Sequence, residues 1–226
     1  LSFLGRVNYN YQDRFLITVT GRRDGSSKFA EGNKWAFFPS LAGAWKISNE
    51  DFMSSATDVI SALKLRVGYG KVGNQELAPY SSLSLLQSSN YNFGDGSVVN
   101  GFSPLRVAVP DLTWEITSQT NIGLDASFLQ NRFNVSFDYY NKKTKDMLLE
   151  VVLPETSGIT RPSVQNLGEM ENVGWEMSAD GVIINNNDFK WDLGFNLSSN
   201  RNKITYLGDP DKVGDLSFLT VQPTFN

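Results

Sequence analysis

Two runs of alternating apolar and polar side chains stand out at residues 15–47, joined by a polar connection that contains glycine. In the second run Phe37, Leu41 and Trp45 share one side, whereas Ser40 and Lys46 lie on the other. Successive side chains of a β-strand point to opposite sides, so both runs predict strands. A tilted transmembrane strand needs about 9–11 residues. Runs of this length with one apolar side and aromatic tips are typical of strands that cross a membrane.

The same alternation recurs along the chain and predicts eight strands. They are expected at residues 2–11, 15–23, 35–47, 62–71, 118–128, 133–144, 170–183 and 189–204. Short turns are expected at 12–14, 129–132 and 185–188, and long connections at 24–34, 72–117 and 145–167. The remainder, 205–226, is predicted to be a polar loop.

Two local features modify this pattern. In residues 48–61, Ser48 and Asn49 are predicted to cap a short helix whose Phe52 and Met53 cover the rim of the barrel. Pro39 cannot donate a ladder hydrogen bond, so it is predicted to mark a bulge in the third strand.

The separation of short turns from long connections predicts an all-β fold, an antiparallel transmembrane β-barrel segment with periplasmic turns and extracellular loops. The apolar side is expected to face lipid, and it includes Val7, Ile17, Leu41, Val67, Leu124, Val135, Met177 and Phe195. The polar side is expected to line the lumen, with Arg6, Lys64, Arg66, Asp125, Asp138 and Glu176. Gly, Ser and Asn on that side, together with separated blocks of charge, predict an open curved sheet whose first and eighth strands do not pair.

The amino-acid composition excludes several kinds of functional site. The chain has no cysteine and no histidine, so thiolate sites and the commonest metal ligand and general base are absent. A net charge of −4 gives no footprint for nucleic acid. No nucleophile–base pair stands out, and we expect neither an enzyme nor a metal or cofactor. The aromatic residues of the longest connection either stack on sugar rings or peptide side chains or pack within the loop: Tyr80, Tyr91, Phe93, Phe102 and Trp114.

Several long motifs resemble one family. They are RRDGSSKF at 22–29, FFPSLAGAW at 37–45, LKLRVGYGKVGNQ at 63–75, TWEITSQTNIGLD at 113–125, FDYYNKKTKDMLL at 137–149 and NLGEMENVGWE at 166–176. Their order and combination resemble the SusC/RagA family of TonB-linked outer-membrane transporters. The resemblance extends from Gly5 to about Leu207.

The resemblance implies active uptake of oligosaccharides or peptides across the Gram-negative outer membrane. It implies a SusD-like lipoprotein as partner, surrounding lipid, and energy delivered by the TonB complex through a plug. Residues 1–226 resemble only a mid-barrel portion of such a transporter, without the plug and the closing C-terminal strands. The alternative reading of the alternation itself is a soluble β-sandwich that binds a glycan or a protein at the cell surface.

Overall fold

The computed structural model describes residues 1–94, 96–159 and 161–208, and the predicted loop from residue 209 onward lies outside the described residues. Its strands are β1 (Ser2–Tyr11), β2 (Phe15–Gly25), β3 (Trp35–Lys46), β4 (Ile60–Asn74), β5 (Leu85–Asn92), β6 (Val98–Arg106), β7 (Glu115–Phe128), β8 (Phe133–Lys145), β9 (Leu148–Val151), β10 (Ser163–Asn166), β11 (Glu169–Asn185) and β12 (Lys190–Tyr206). Short 3₁₀ helices occupy Ile47–Asn49, Asp51–Ala56 and Glu155–Ser157. None of the described helices is long and apolar enough to cross a membrane.

The eight long strands form one antiparallel sheet in the order β1-β2-β3-β4-β7-β8-β11-β12. β1 and β12 are its two edges, and no pairing joins them within the described residues. The predicted set of eight strands and the open sheet are therefore confirmed. A β-sandwich would divide these strands between two facing sheets, which is not the arrangement observed.

Register places the two predicted sets of side chains on opposite faces, because directly paired residues point to the same side. One row of pairs runs Leu65, Leu124, Phe137, Met177 and Leu197 across five strands. The adjacent row runs Arg66, Gly123, Asp138, Glu176 and Ser198 on the opposite side. We call the apolar side the outer face and the charged side the inner face.

The outer face is uncovered. Val7 is 68% exposed and Leu41 is 53% exposed, although both are aliphatic. In a soluble sandwich these residues would form the core, whereas here none of the described residues covers them.

Two long connections contain strands that the sequence does not reveal. β5 and β6 form a hairpin inside residues 72–117, and β9 and β10 pair inside residues 145–167. The long connections were predicted correctly in position, but these four short strands were not predicted. Ser, Asn and Gly interrupt the apolar alternation of β5 and β6, so these short strands lack a half-buried pattern.

The predictions for Pro39 and for the helix cap were wrong. Pro39 pairs in register with Gly21 and makes no bulge. On its other side the β3–β4 ladder ends at Ser40 and Gly70, so the missing N–H falls where no ladder bond is needed. The helical segment has Glu50 at its N-cap position without a side-chain cap bond, and Phe52 is 64% exposed.

Candidate functional site: the inner face and its loops

A network of charged side chains crosses the inner face at β4, β7 and β8. The Arg66 guanidinium donates from Nε to Asp125 Oδ2 and from Nη2 to Asp125 Oδ1, both at 2.8 Å. The same Nη2 lies 3.0 Å from Asp138 Oδ2. Lys64 Nζ lies 2.9 Å from Asp125, and the Ser136 hydroxyl donates to Asp125 Oδ1 at 3.1 Å. Two cations are thus matched by two carboxylates.

Gly123 makes room for this network. It lies directly opposite Arg66 on one side and Asp138 on the other. A Cβ at residue 123 would stand 2.7 Å from the Arg66 guanidinium carbon and would also meet the Asp138 carboxylate. The absent side chain therefore lets one arginine bridge acids from two further strands.

Arg6 and Glu176, also predicted to line the lumen, lie outside the network. Arg6 Nε donates to Thr20 Oγ1 at 3.2 Å. Glu176 lies opposite Asp138 on the next strand, and neither Arg6 nor Glu176 has an ion-pair partner among the residues described. Register places all six predicted residues on the inner face, but it brings together only Lys64, Arg66, Asp125 and Asp138.

The main apolar cluster lies where the long loops pack against β3. It comprises Phe29, Phe38, Leu77, Leu112 and Trp114. The Trp114 ring lies 4.7 Å from Phe29 and 5.5 Å from Phe38, centroid to centroid. Trp114 is only 3% exposed, so its ring packs inside the loops, whereas the other four predicted aromatic residues are exposed.

Asn166 joins the two longest connections at this end. Its Nδ2 donates to the carbonyls of Thr113 at 2.8 Å and Asp146 at 2.9 Å, while its Oδ1 accepts from the Thr113 N–H at 2.8 Å. The three bonds fix the base of the loop before β7 to the connection after β8. Sequence reasoning missed this residue, because a single Asn before a strand carries no periodic signal.

The β5–β6 hairpin presents its aromatic rings to solvent. Tyr91, Phe93 and Phe102 are 63%, 72% and 78% exposed. The rings of Tyr91 and Phe93 meet edge to face at 5.1 Å, whereas Phe102, paired with Ser88, projects from the other side of the hairpin. Tyr80 is 68% exposed at the base, where the Arg106 guanidinium donates to its carbonyl. We call Tyr80, Tyr91, Phe93 and Phe102 the hairpin aromatics.

A polar clamp holds the short-turn end. Glu50 accepts hydrogen bonds from Arg14 Nε at 2.9 Å and from the Trp45 indole at 2.8 Å. The Arg14 hydrogen bond lowers the pKa of Glu50, and the Trp45 bond acts in the same direction. Beside it, Lys46 Nζ lies 2.6 Å from Asp13 and lowers the pKa of that carboxyl. The first turn and the 3₁₀ segment are thereby joined.

Within the described part of the chain, no group of three acidic, cysteine or histidine side chains is arranged to hold a metal ion. The polar groups of the inner face are engaged mainly with each other. The described site therefore combines a hydrogen-bonded charged inner face with a hairpin whose aromatic rings are exposed.

The family model for TonB dependent receptor-like β-barrels matches residues 2–223. TonB-dependent receptor P26 of Formosa agariphila is 44% identical over 210 residues, which are 93% of this chain and 21% of that protein. TonB-dependent receptor SusC of Bacteroides thetaiotaomicron is 38% identical over 214 residues, again 93% and 21%.

Among solved structures, the RagAB peptide importer in its closed-closed state matches with a TM-score of 0.81 and 35% identity, over 91% of this chain and 22% of that one. The chain thus spans about a fifth of the length of these relatives. The resemblance to the SusC/RagA proteins is confirmed by both kinds of comparison. The chain belongs to the TonB-dependent receptor-like β-barrel family.

Proposed function

We propose that this chain forms part of the wall of an outer-membrane transporter that imports oligosaccharides or peptides with energy from TonB. The barrel of its family is an outer-membrane barrel, and the family comprises receptors and transporters rather than enzymes. The described residues supply eight adjacent strands, and the chain spans about a fifth of the length of its relatives, so the proposal assigns the plug that contacts TonB and the remaining strands to other parts of the transporter.

One observation carries this proposal: within the part of the chain that the structure describes, the eight-stranded sheet has an uncovered aliphatic outer face, a charged inner face and two unpaired edges. In a membrane barrel, lipid covers the aliphatic outer face, the charged inner face lines a polar lumen, and further strands pair with the two edges. Leu124 and Asp125 are neighbours in β7 and point to the two environments. The same face of a water-soluble protein would aggregate.

The relatives and the hairpin aromatics support the proposed ligand class. One structural relative is described as a peptide importer, and a sequence relative is SusC. Exposed aromatic rings stack on sugar surfaces or on peptide side chains, and the neighbouring Ser and Asn residues supply hydrogen bonds. We propose that the hairpin aromatics contact either the captured ligand or a SusD-like lipoprotein that covers the extracellular mouth.

The transport proposal is tested by uptake in the source bacterium. Deletion of the gene for the full-length protein should abolish growth on, or uptake of, one class of oligosaccharide or peptide, and loss of TonB should do the same. Uptake that persists without TonB would contradict an energised transporter. The protein should appear in the outer-membrane fraction and not among soluble proteins.

The role of the hairpin is tested by removing residues 88–100 from the full-length protein. Barrel assembly should remain, because the β5–β6 sheet shares no ladder with the main sheet. Association with the lipoprotein, or ligand uptake, should weaken. The matched point variants are Phe93→Ser and Phe102→Ser. Wild-type association and uptake after the deletion would reduce the hairpin to a spacer.

A further inference from the structure

The outer face changes character in register steps toward the long-loop end of β8, β11 and β12. An apolar row holds Phe137, Met177 and Leu197. The next row on the outer face, one step nearer the long loops, holds Tyr139, Trp175 and Ser199. The row after it holds Asn141, Val173 and Arg201. The row after that holds Lys143, Glu171 and Lys203. The outer face thus passes from an apolar row through a row with two aromatic residues to rows that carry three basic residues and one acid.

This order matches the layers of a bilayer. Tyr and Trp occupy the interface between hydrocarbon and headgroups, and basic side chains occur where anionic headgroups begin. Residues rise about 3.4 Å each along an antiparallel strand. Arg201 and Lys203 are therefore about 7 and 14 Å beyond the level of Trp175 along the strands.

A groove of about 450 Å³ lies on this part of the outer face. Tyr139 and Trp175 line the part of the groove nearer the middle of the strands. Glu171, Arg201 and Lys203 line the part nearer the long loops. All of these residues belong to outward rows, so the groove opens toward lipid and not toward the lumen.

The charges of the groove are not balanced internally. Lys143 Nζ lies 3.2 Å from Glu171, which also accepts from Asn141 Nδ2 at 3.0 Å. Arg201 and Lys203 have no ion-pair partner within residues 1–94, 96–159 and 161–208. Lys203 is attracted to Glu171 at longer range, but Glu171 is already paired with Lys143, so the three basic residues outnumber the one acid beside Tyr139 and Trp175. A guanidinium beside an ammonium is the chemistry that binds a phosphate group.

We propose that Arg201 and Lys203 bind a phosphate on the headgroup of an anionic outer-leaflet lipid, with Tyr139 and Trp175 against the adjoining apolar or sugar part of that lipid. The inference rests on the proposed membrane location and goes beyond it. It gives this part of the wall a specific lipid site. A lipid bound there holds three neighbouring strands of the barrel from outside.

The test uses the full-length transporter in detergent, with diphosphorylated lipid A as the probe and phosphatidylcholine as the neutral control. Native mass spectrometry or a fluorescent lipid A analogue reports binding. Each basic residue at a membrane surface contributes roughly fivefold in affinity, so the R201Q/K203Q double variant should bind lipid A on the order of 10- to 30-fold more weakly. R201K/K203R keeps both charges and should bind within about threefold of wild type.

K142Q is the matched control, because Lys142 is adjacent to Lys143 in β8 but points to the inner face. It should bind lipid A as wild type does. Inorganic phosphate at millimolar concentration should not displace the lipid. Equal binding by R201Q/K203Q and wild type, equal loss in K142Q, or displacement by inorganic phosphate would each overturn the inference.

Assembly and uptake are followed in parallel. A double variant that assembles and transports yet binds lipid A like wild type rejects the lipid site and leaves the transporter proposal standing. If the double variant fails to assemble, R201Q and K203Q are compared singly with K142Q by the same measurements. A wild-type protein absent from the outer membrane would instead reject the proposed function.

Discussion

Arg66 and Asp125 form a two-pronged ion pair diagonally across neighbouring strands, with both N–O distances at 2.8 Å. Asp125 also binds Lys64 and Ser136, whereas Asp138 shares only one Arg66 nitrogen and a longer contact with Ser136 at 3.4 Å. The two carboxylates of the network are therefore unequal.

This inequality predicts an order of effects in the full-length protein. D125N should lower the stability of the folded barrel by about 1 kcal/mol, because it removes one partner of a multiply bonded network. D138N should cost a few tenths of a kcal/mol, roughly the value of a partly exposed pair. The measurement is urea-induced loss of the heat-resistant folded band on gels. A larger cost for D138N than for D125N would contradict the geometry.

The outer and inner faces should differ sharply in their tolerance of charge. L124R places a cation on the outer face near the middle of β7 and should cost about 2–4 kcal/mol of insertion free energy. N121R is the matched control, three residues away on the inner face of the same strand, and should assemble nearly as wild type does. The yield of folded barrel in outer-membrane fractions measures both. Equal losses would contradict the assignment of the faces.

The apolar cluster around Trp114 should be disrupted by substitutions that leave the main sheet folded. W114A removes the buried ring that contacts Phe29 and Phe38, and large-to-small changes of this kind cost about 3–5 kcal/mol. G73V should act similarly, because a Cβ at residue 73 would lie 2.9 Å from the Trp114 ring and would meet Phe38. Limited proteolysis should then cut within residues 75–112 while the folded band persists. F102A, at a residue 78% exposed, is the control and should leave the loops resistant.

The clamp at the short-turn end predicts a dependence on pH. Unfolded Glu titrates near 4.5, and the Arg14 hydrogen bond holds the native pKa of Glu50 below that value. The stabilising contribution is therefore complete above about pH 4.5 and is lost as the pH falls through the lower native pKa. Wild type should exceed E50Q in thermal stability at neutral pH, and the difference should disappear in acid. A difference that grows on acidification would contradict the sign.

Period-two alternation was sufficient to predict the main sheet. For Ser2–Tyr11 it gave the observed bounds of β1, and for β7, β8, β11 and β12 it differed by three residues or fewer at each end. Each of these strands has one polar and one apolar side, so the pattern is strong. The same alternation predicted on which face of the sheet each charged residue lies.

The alternation of apolar and polar residues could not predict contacts between segments that are far apart in the chain. Nothing local distinguishes buried Trp114 from exposed Phe102, since both lie in one long polar connection. Burial of Trp114 depends on Phe29, about 85 residues away, and on Asn166 beyond the next hairpin. The division of the inner-face charges into a closed network and single residues likewise depended on the absent side chain of Gly123.

The most direct measurement uses single cysteines, because this chain has none of its own. Spin labels are placed at residues 121–125 of β7 in the full-length protein, after replacing any cysteine elsewhere, and the protein is reconstituted in lipid. Collision with oxygen, which concentrates in lipid, and with a water-soluble nickel chelate is then recorded. We expect labels at Ile122 and Leu124 to favour oxygen and labels at Asn121 and Asp125 to favour the chelate. Chelate access at Leu124, or exclusion of both reagents there, would contradict a lipid-facing wall.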